Sequence, residues 1–249
     1  MIEIKNLTGG YGRTDVLHGI DLALDGGKLT SIIGPNGSGK STLLKMLIGI
    51  LRSSGGEVFI DGARTSELSQ KEIAKRVAYL PQGRRTPDMT VLSAVLHGRF
   101  PHLGYPRRYT ERDREIAFAA MERAGVAELA DRRLDTLSGG MKQSAYIAMA
   151  LAQDTDYILL DEPTAHLDIS HQLRLMELLA ELAACGRGII AVMHDLPLAL
   201  SYSGRIALLD NGRVAAEGTP DELADGGDIK RVLGVELLKS DNGGYSLKI

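Results

Sequence analysis

Leu29-Thr30-Ser31-Ile32-Ile33-Gly34-Pro35-Asn36-Gly37-Ser38-Gly39-Lys40-Ser41-Thr42 is the stretch on which the reading of this chain turns. Leu29 to Ile33 is a short apolar run of strand type, and Ser41 to Ile50 repeats its apolar residues at helical spacing. Between them, Gly34 to Thr42 fits G-x-x-x-x-G-K-[ST] in the context that gives the pattern meaning, after a strand and at a helix start. The glycines allow backbone N–H groups to converge on phosphate oxygens, and the helix N-terminus adds a favourable dipole. Lys40 would then reach the terminal phosphates and Ser41 would hold Mg²⁺.

Outward from that loop, strands alternate with helices. Met1 to Lys5 and Ile20 to Leu24 alternate as strands do, Asp25-Gly26-Gly27 is a turn, and Glu57 to Ile60 is a further strand. Ser69 with Glu72, and Thr110 with Asp113, have the spacing of capping boxes that open helices. Val77 to Leu80, Tyr157 to Leu160 and Gly188 to Met193 read as buried strands; Met141 to Ala152 and Ser170 to Ala184 read as helices. Apolar strands of four to six residues between helices predict a parallel sheet covered on both faces. Residues from about 84 to 140 offer helical patterns (Val91 to Gly98 and Thr110 to Ala124) and no strand, so they read as a helical insert. Arg205 to Leu209 and Val214 to Glu217 flank Asp210-Asn211-Gly212 and predict a hairpin. Residues 220–249 show short elements and no further domain.

Two more segments carry chemistry. Tyr157-Ile158-Leu159-Leu160-Asp161-Glu162-Pro163 delivers adjacent carboxylates to the end of a strand, where α/β sheets hold their ligands. Alone, Asp-Glu in that position is often a helix cap. Beside a phosphate loop, Asp161 reads as the residue that orients Mg²⁺ and Glu162 as the general base for an attacking water. Leu137-Ser138-Gly139-Gly140 precedes an alanine-rich helix and offers a second anion cradle, or an ordinary cap. One nucleotide has no use for two cradles on one subunit. A second copy of the chain, related by a two-fold axis, is the economical source of the second.

Composition narrows the class. The chain has 249 residues, 44% hydrophobic and 24% charged, a globular balance. One cysteine, Cys185, excludes an intrachain disulfide and suits a reducing compartment; its place near a helix end suggests a small buried hydrophobe. The longest charge-free stretches reach about eleven residues, short of the roughly 18–20 that span a bilayer. A formal charge of −3, no Trp and 4% aromatics argue against a nucleic-acid partner. These features predict a soluble intracellular protein. His18, His97 and His171 show no metal-ligand pairing and read as structural or surface residues.

With these motifs in order, the sequence resembles the nucleotide-binding subunit of ATP-binding-cassette (ABC) transporters over essentially its whole length. By that resemblance, Lys40 sits in a Walker A loop, Gln82 matches the Q-loop and counts among the catalytic and metal-binding residues, and Leu137 to Gly140 match the signature. Asp161 and Glu162 match Walker B and its catalytic glutamate, and Leu167-Asp168 match the D-loop. His194 matches the H-loop that contacts the γ-phosphate, and Tyr11 the aromatic that stacks on adenine. The fold implied is a P-loop NTPase of the ABC-ATPase type: one domain over 1–249, with a mixed sheet core, an antiparallel β part at the N-terminus and a helical subdomain, about 84–140, inserted in a RecA-like core. Met141 and Ser144 depart from the family, which usually has Gln and a basic residue there.

Leu96-His97-Gly98-Arg99-Phe100-Pro101-His102-Leu103-Gly104, with His166-Leu167-Asp168, is similar to ATPases of importers for iron chelates, haem and cobalamin. The resemblance implies ATP and Mg²⁺, an ATP-sandwich homodimer, two membrane-spanning permease subunits docked along Gln82 to Gly104, and an extracytoplasmic binding protein. It places the chain on the cytoplasmic face of the cell membrane, as a peripheral subunit. A cassette ATPase of iron–sulfur cluster assembly is the alternative; it fits the Gly98 to His102 segment less well. Arg107, Arg108, Arg112 and Arg114 among Glu111, Asp113 and Glu115 read as a solvated helix face.

Overall fold

In the computed structural model, which describes residues 1–83, 86–239 and 244–248, β1 (Ile2–Tyr11) and β2 (Thr14–Leu24) pair antiparallel from Ile2↔Leu24 to Tyr11↔Thr14. β3 (Leu29–Ile33) runs into the glycine loop and then α1 (Lys40–Leu47). β4 (Gly55–Ile60) returns to the free edge of β1, and β5 (Ala63–Arg64) completes a sheet of order β2-β1-β4-β5. β1 is longer than the alternation of Met1 to Lys5 predicts. A register shift between Ile4 and Leu7, with Asn6 at φ 48, moves the buried face from even to odd positions and hides the rest of the strand from a period-two reading.

The second sheet holds the strands that carry the chemistry. After α2 (Gln70–Ala74) comes β6 (Val77–Leu80), then the helices α3 (Val91–His97), α4 (Glu111–Arg123) and α5 (Gly139–Ala152). β7 (Tyr157–Asp161), α6 (Ile169–Ala184), β8 (Gly188–Val192), α7 (Leu196–Tyr202), β9 (Arg205–Asp210) and β10 (Arg213–Gly218) follow. α8 (Pro220–Asp225), α9 (Asp228–Leu233) and a small hairpin of β11 (Glu236–Lys239) and β12 (Tyr245–Lys248) end the fold. The sheet order is β10-β9-β3-β8-β7-β6, parallel except for the β9–β10 hairpin. It is therefore a mixed sheet, and the hairpin lies where Asp210-Asn211-Gly212 predicts it.

Every residue of β3, β7 and β8 is buried, because the sheet is covered on both sides. Ile158, Leu160, Ile189 and Ala191 face one core with the helices α3 to α7, while Leu159, Ile190 and Val192 face a second core with α1 and the antiparallel sheet. Alternate residues of one strand thus feed two cores. Both expected capping boxes form: Ser69 with Glu72 and Thr110 with Asp113. A third, Thr219 with Glu222, opens α8 and was equally legible. The segment between β6 and β7 contains no named strand among the described residues; position 84, the expected start of the insert, lies outside them.

Gly98 to His102 turns inward. A Cβ on Gly98 would stand 2.2 Å from the Met149 carbonyl oxygen, so only glycine lets this turn lie against α5. Arg99 donates to the Ala152 carbonyl and to Asp113, and His102 Nε2 lies 2.8 Å from the Gln153 carbonyl. Asp113 therefore leaves the solvated face that its charged neighbours form: it is 7% exposed, capping α4 and pairing with Arg99. Cys185 also differs from its expected place. It is exposed at the C-cap of α6, off the buried stripe of Leu175, Leu179 and Leu182.

Burial raises the Asp113 carboxyl, but the Thr110 amide and hydroxyl and then Arg99 outweigh it, leaving it below its ordinary value. Breaking a buried pair by removing one partner costs about 3–5 kcal/mol, so Asp113→Ala should lower Tm by on the order of 10 °C. A depressed folded pKa stabilises fully above the unfolded value near 4 and is lost as pH falls through the folded one. Melting curves of both proteins should therefore be far apart at neutral pH and converge below about pH 4.

Candidate functional site

Four parallel strands deliver the expected residues to the same end of the second sheet. β3 is followed by residues 34–42, β6 by Gln82, β7 ends at Asp161 and is followed by Glu162, and β8 is followed by His194. The carboxyl edge of a parallel sheet is where its strands leave room for a ligand. Gly34, Gly37 and Gly39 all adopt positive φ, the backbone shape that turns the loop around a space in front of α1.

Within that edge the side chains pair closely. The Ser41 hydroxyl donates to Asp161 Oδ1 at 2.8 Å, and Tyr79, a residue the motifs gave no reason to single out, donates to Oδ2 at 3.4 Å. The Gln82 amide donates to Glu162 Oε2 at 2.5 Å, and His194 Nε2 lies 2.5 Å from Oε1. Glu162 holds φ 53, a sparsely populated conformation for a residue with a Cβ, anchored by its N–H to the Val192 carbonyl. Lys40, 6% exposed, folds back to donate to the Gly34 and Pro35 carbonyls at 2.8 and 2.9 Å. Burial pushes its ammonium below the ordinary value, partly offset by Glu162 and Asp161. The buried Ser38 hydroxyl has no hydrogen-bond partner among the described residues.

A cavity of about 320 Å³ joins Tyr11 to Gly37, Lys40, Ser41, Glu162 and His194. Tyr11 is half-exposed at its rim, its ring under the Lys45 ammonium, which also reaches the phenol oxygen at 3.3 Å. Lys45 is a contributor that no motif marks. Ser138, Gly139, Gly140 and Asp168 do not line this cavity. Ser138 caps α5 by accepting the Met141 N–H, and Asp168 caps α6 by accepting the His171 N–H. The Met141 side chain is exposed beside them.

An oxygen-rich cluster of Ser41 and Asp161, with Gln82 close by on Glu162, is the hard-ligand chemistry that Mg²⁺ takes when nucleotide oxygens complete its shell. No group of three His, Cys, Asp or Glu able to hold a metal alone occurs among the described residues. A glycine loop with a buried lysine, facing a carboxylate held by an amide and an imidazole, defines a phosphate-loop ATPase. The chain belongs to the ABC transporter family: the profile of that family, described as "ABC transporter", matches residues 17–165.

Its relatives are similar over nearly the full chain. It is 42% identical over 240 residues to the ferric enterobactin transport ATP-binding protein FepC of Escherichia coli (strain K12), covering 96% of this chain and 89% of that protein. It is 42% identical over 237 residues to the iron(3+)-hydroxamate import ATP-binding protein FhuC of Bacillus subtilis (strain 168), covering 94% and 88%. With the hemin import ATP-binding protein HmuV of Nocardia farcinica (strain IFM 10152) it shares 43% over 206 residues, 82% and 71% of the two chains. Among solved structures, the dimeric post-hydrolysis state of the ATP-binding cassette MJ0796 bound to ADP and Pi matches with a TM-score of 0.77 and 30% identity, covering 88% of this chain and 99% of that one. The ABC-ATPase fold expected from the motifs is the fold found. Among the described residues no helix is long and apolar enough to cross a membrane.

Proposed function

We propose that two copies of this chain bind two MgATP head to tail and power import of an iron chelate, haem or cobalamin. The observation that carries the reading is the split of the machinery. Lys40, Ser41, Glu162 and His194 line one cavity, with Asp161 hydrogen-bonded to Ser41 and Gln82 to Glu162, while Ser138 to Gly140, a second anion cradle, do not line it. Each nucleotide would sit between Lys40 of one copy and Ser138 of the other, with Asp168 at the junction. That arrangement is supported by the dimer seen for the similar cassette.

In this reading Lys40 releases the Gly34 and Pro35 carbonyls to engage the terminal phosphates, and Tyr11 stacks on adenine. Ser41 and Asp161, with Gln82, would hold Mg²⁺, which would supply positive charge to offset that of the phosphates. Glu162 takes the proton of the attacking water, and His194, already on its carboxylate, keeps that oxygen aimed and reaches the γ-phosphate. ATP bridging both copies binds the closed pair better than the open one, and this differential affinity drives closure. Residues from about 84 to 140 act as a helical subdomain that carries the motion to two permease subunits along Gln82 to Gly104. An extracytoplasmic binding protein delivers the cargo, and the chain works as a peripheral subunit on the cytoplasmic face, without nucleic acid.

Import is favoured over cluster assembly because the quoted relatives are named for ferric enterobactin, iron-hydroxamate and hemin. Uptake of labelled ferric siderophore, haem and cobalamin by a strain lacking this gene tests it. Loss of one uptake, restored by the wild-type gene and not by Glu162→Gln, is the expected result. Three unchanged uptakes would overturn import and leave the ATPase standing.

A further inference from the structure

His171 has no part in the chemistry above, yet it touches two segments that do. Its ring lies flat on Gly140: a Cβ built there would stand 2.5 Å from His171 Cδ2 and 2.8 Å from Cγ and Nε2. Its Nδ1 lies 2.9 and 2.8 Å from the two carboxylate oxygens of Asp168, which also accepts the Ser170 hydroxyl. One side chain therefore spans from the Asp168 turn to the first turn of α5.

That first turn needs external support. Gly139 and Gly140 give its first two positions no side chain to pack, and none of residues 138–144 is buried; the buried stripe of α5 begins at Ala145. Below it opens a cleft of about 760 Å³ between the end of α4 and α6, floored by Ile147, Leu167 and Leu175. Across the cleft run the His171 ring and a hydrogen bond from the Gln143 amide to the Pro163 carbonyl at 2.8 Å. We propose that His171 is a positioning residue: aimed by Asp168, its ring braces Gly140 and holds the Ser138 to Gly140 cradle in the pose that the partner copy's nucleotide requires. The inference rests on the sandwich reading. It makes the second glycine of the cradle a packing requirement as well as a ligand-side one, because any side chain at 140 would displace the ring from its contact with Asp168.

The test separates a chain's grip on its own nucleotide from its grip on the partner's. In the Glu162→Gln background, MgATP-driven dimerisation is followed by sedimentation, and binding of a fluorescent ATP analogue to the dilute monomer is followed by titration. His171→Ala is expected to raise the concentration needed for dimerisation by about tenfold or more, while analogue affinity stays within about twofold, since residues 34–42 are untouched. His171→Asn, which keeps a donor toward Asp168 but lacks the ring, is expected to weaken dimerisation too, and it carries the test should the alanine variant melt early. Dimerisation at parental concentration in both variants would overturn the proposal, as would an equal loss of monomer affinity. A Glu162→Gln parent that stays monomeric in saturating MgATP would overturn the sandwich reading, and this inference with it.

Discussion

Glu162→Gln is expected to lower steady-state ATP hydrolysis by about 10²–10⁴-fold, the usual worth of a positioned general base, with MgATP binding retained. The amide preserves the shape of the carboxylate and its reach to Gln82 and His194, and it keeps the same backbone, so φ 53 is no more costly than before. What it removes is basicity at the carboxylate held between these two partners. It also removes a negative charge that acts on Lys40. Less repulsion of phosphate oxygens in the cavity makes a gain in ATP affinity more natural than a loss. Turnover at the wild-type rate in single-turnover assays would show that another group accepts the proton.

Lys40→Ala is expected to act on the other side of the ledger, removing nucleotide binding itself. Lys40 is buried, its ammonium satisfied by two carbonyls of its own loop and steadied by Glu162 and Asp161. Charge-assisted hydrogen bonds to phosphate are worth about 1.5–3 kcal/mol each. Losing those to the terminal phosphates should weaken MgATP by on the order of 10²–10³-fold. The fold should hold, because the cost of burying the ammonium disappears with it. Equilibrium titration with a fluorescent ATP analogue, beside a melting curve, reads both effects. Unchanged affinity would remove the lysine from the phosphate site.

These two residues were legible because their chemistry is written in contiguous sequence. A glycine loop must follow a strand and open a helix, and an apolar strand must end in its carboxylates; both constraints are local, and Lys40, Ser41, Asp161 and Glu162 meet as those constraints imply. Gln82 and His194 are single residues without local signature, placed only by the resemblance, and the structure brings both within 2.5 Å of Glu162. What sequence could not supply is packing between distant segments. Nothing near Asp113 announces Arg99 fourteen residues earlier, so a buried pair read as a charged surface. Nothing near His171 announces Gly140. The β1 bulge is a different failure: it shifts the phase of the alternation at Asn6, so a correct rule lost its period.

The same contrast explains Gly98 to His102. As sequence it points to a class of importer, and a groove for membrane partners would suggest side chains facing out. Arg99 and His102 instead bind the carbonyls of Ala152 and Gln153 at the end of α5, leaving Phe100 and Tyr105 exposed. The segment is thus tied to the far end of the helix that begins at the Ser138 cradle.

The particle formed by the Glu162→Gln chain in saturating MgATP is the most direct measure of the central claim that the site is completed by a second copy. Its mass and bound nucleotide, determined together by sedimentation and quantitative extraction, should give two chains and two nucleotides, reverting on removal of Mg²⁺. A particle of one chain with one nucleotide, at concentrations where the cavity is full, would contradict the account, because Ser138 to Gly140 would then have no nucleotide to hold.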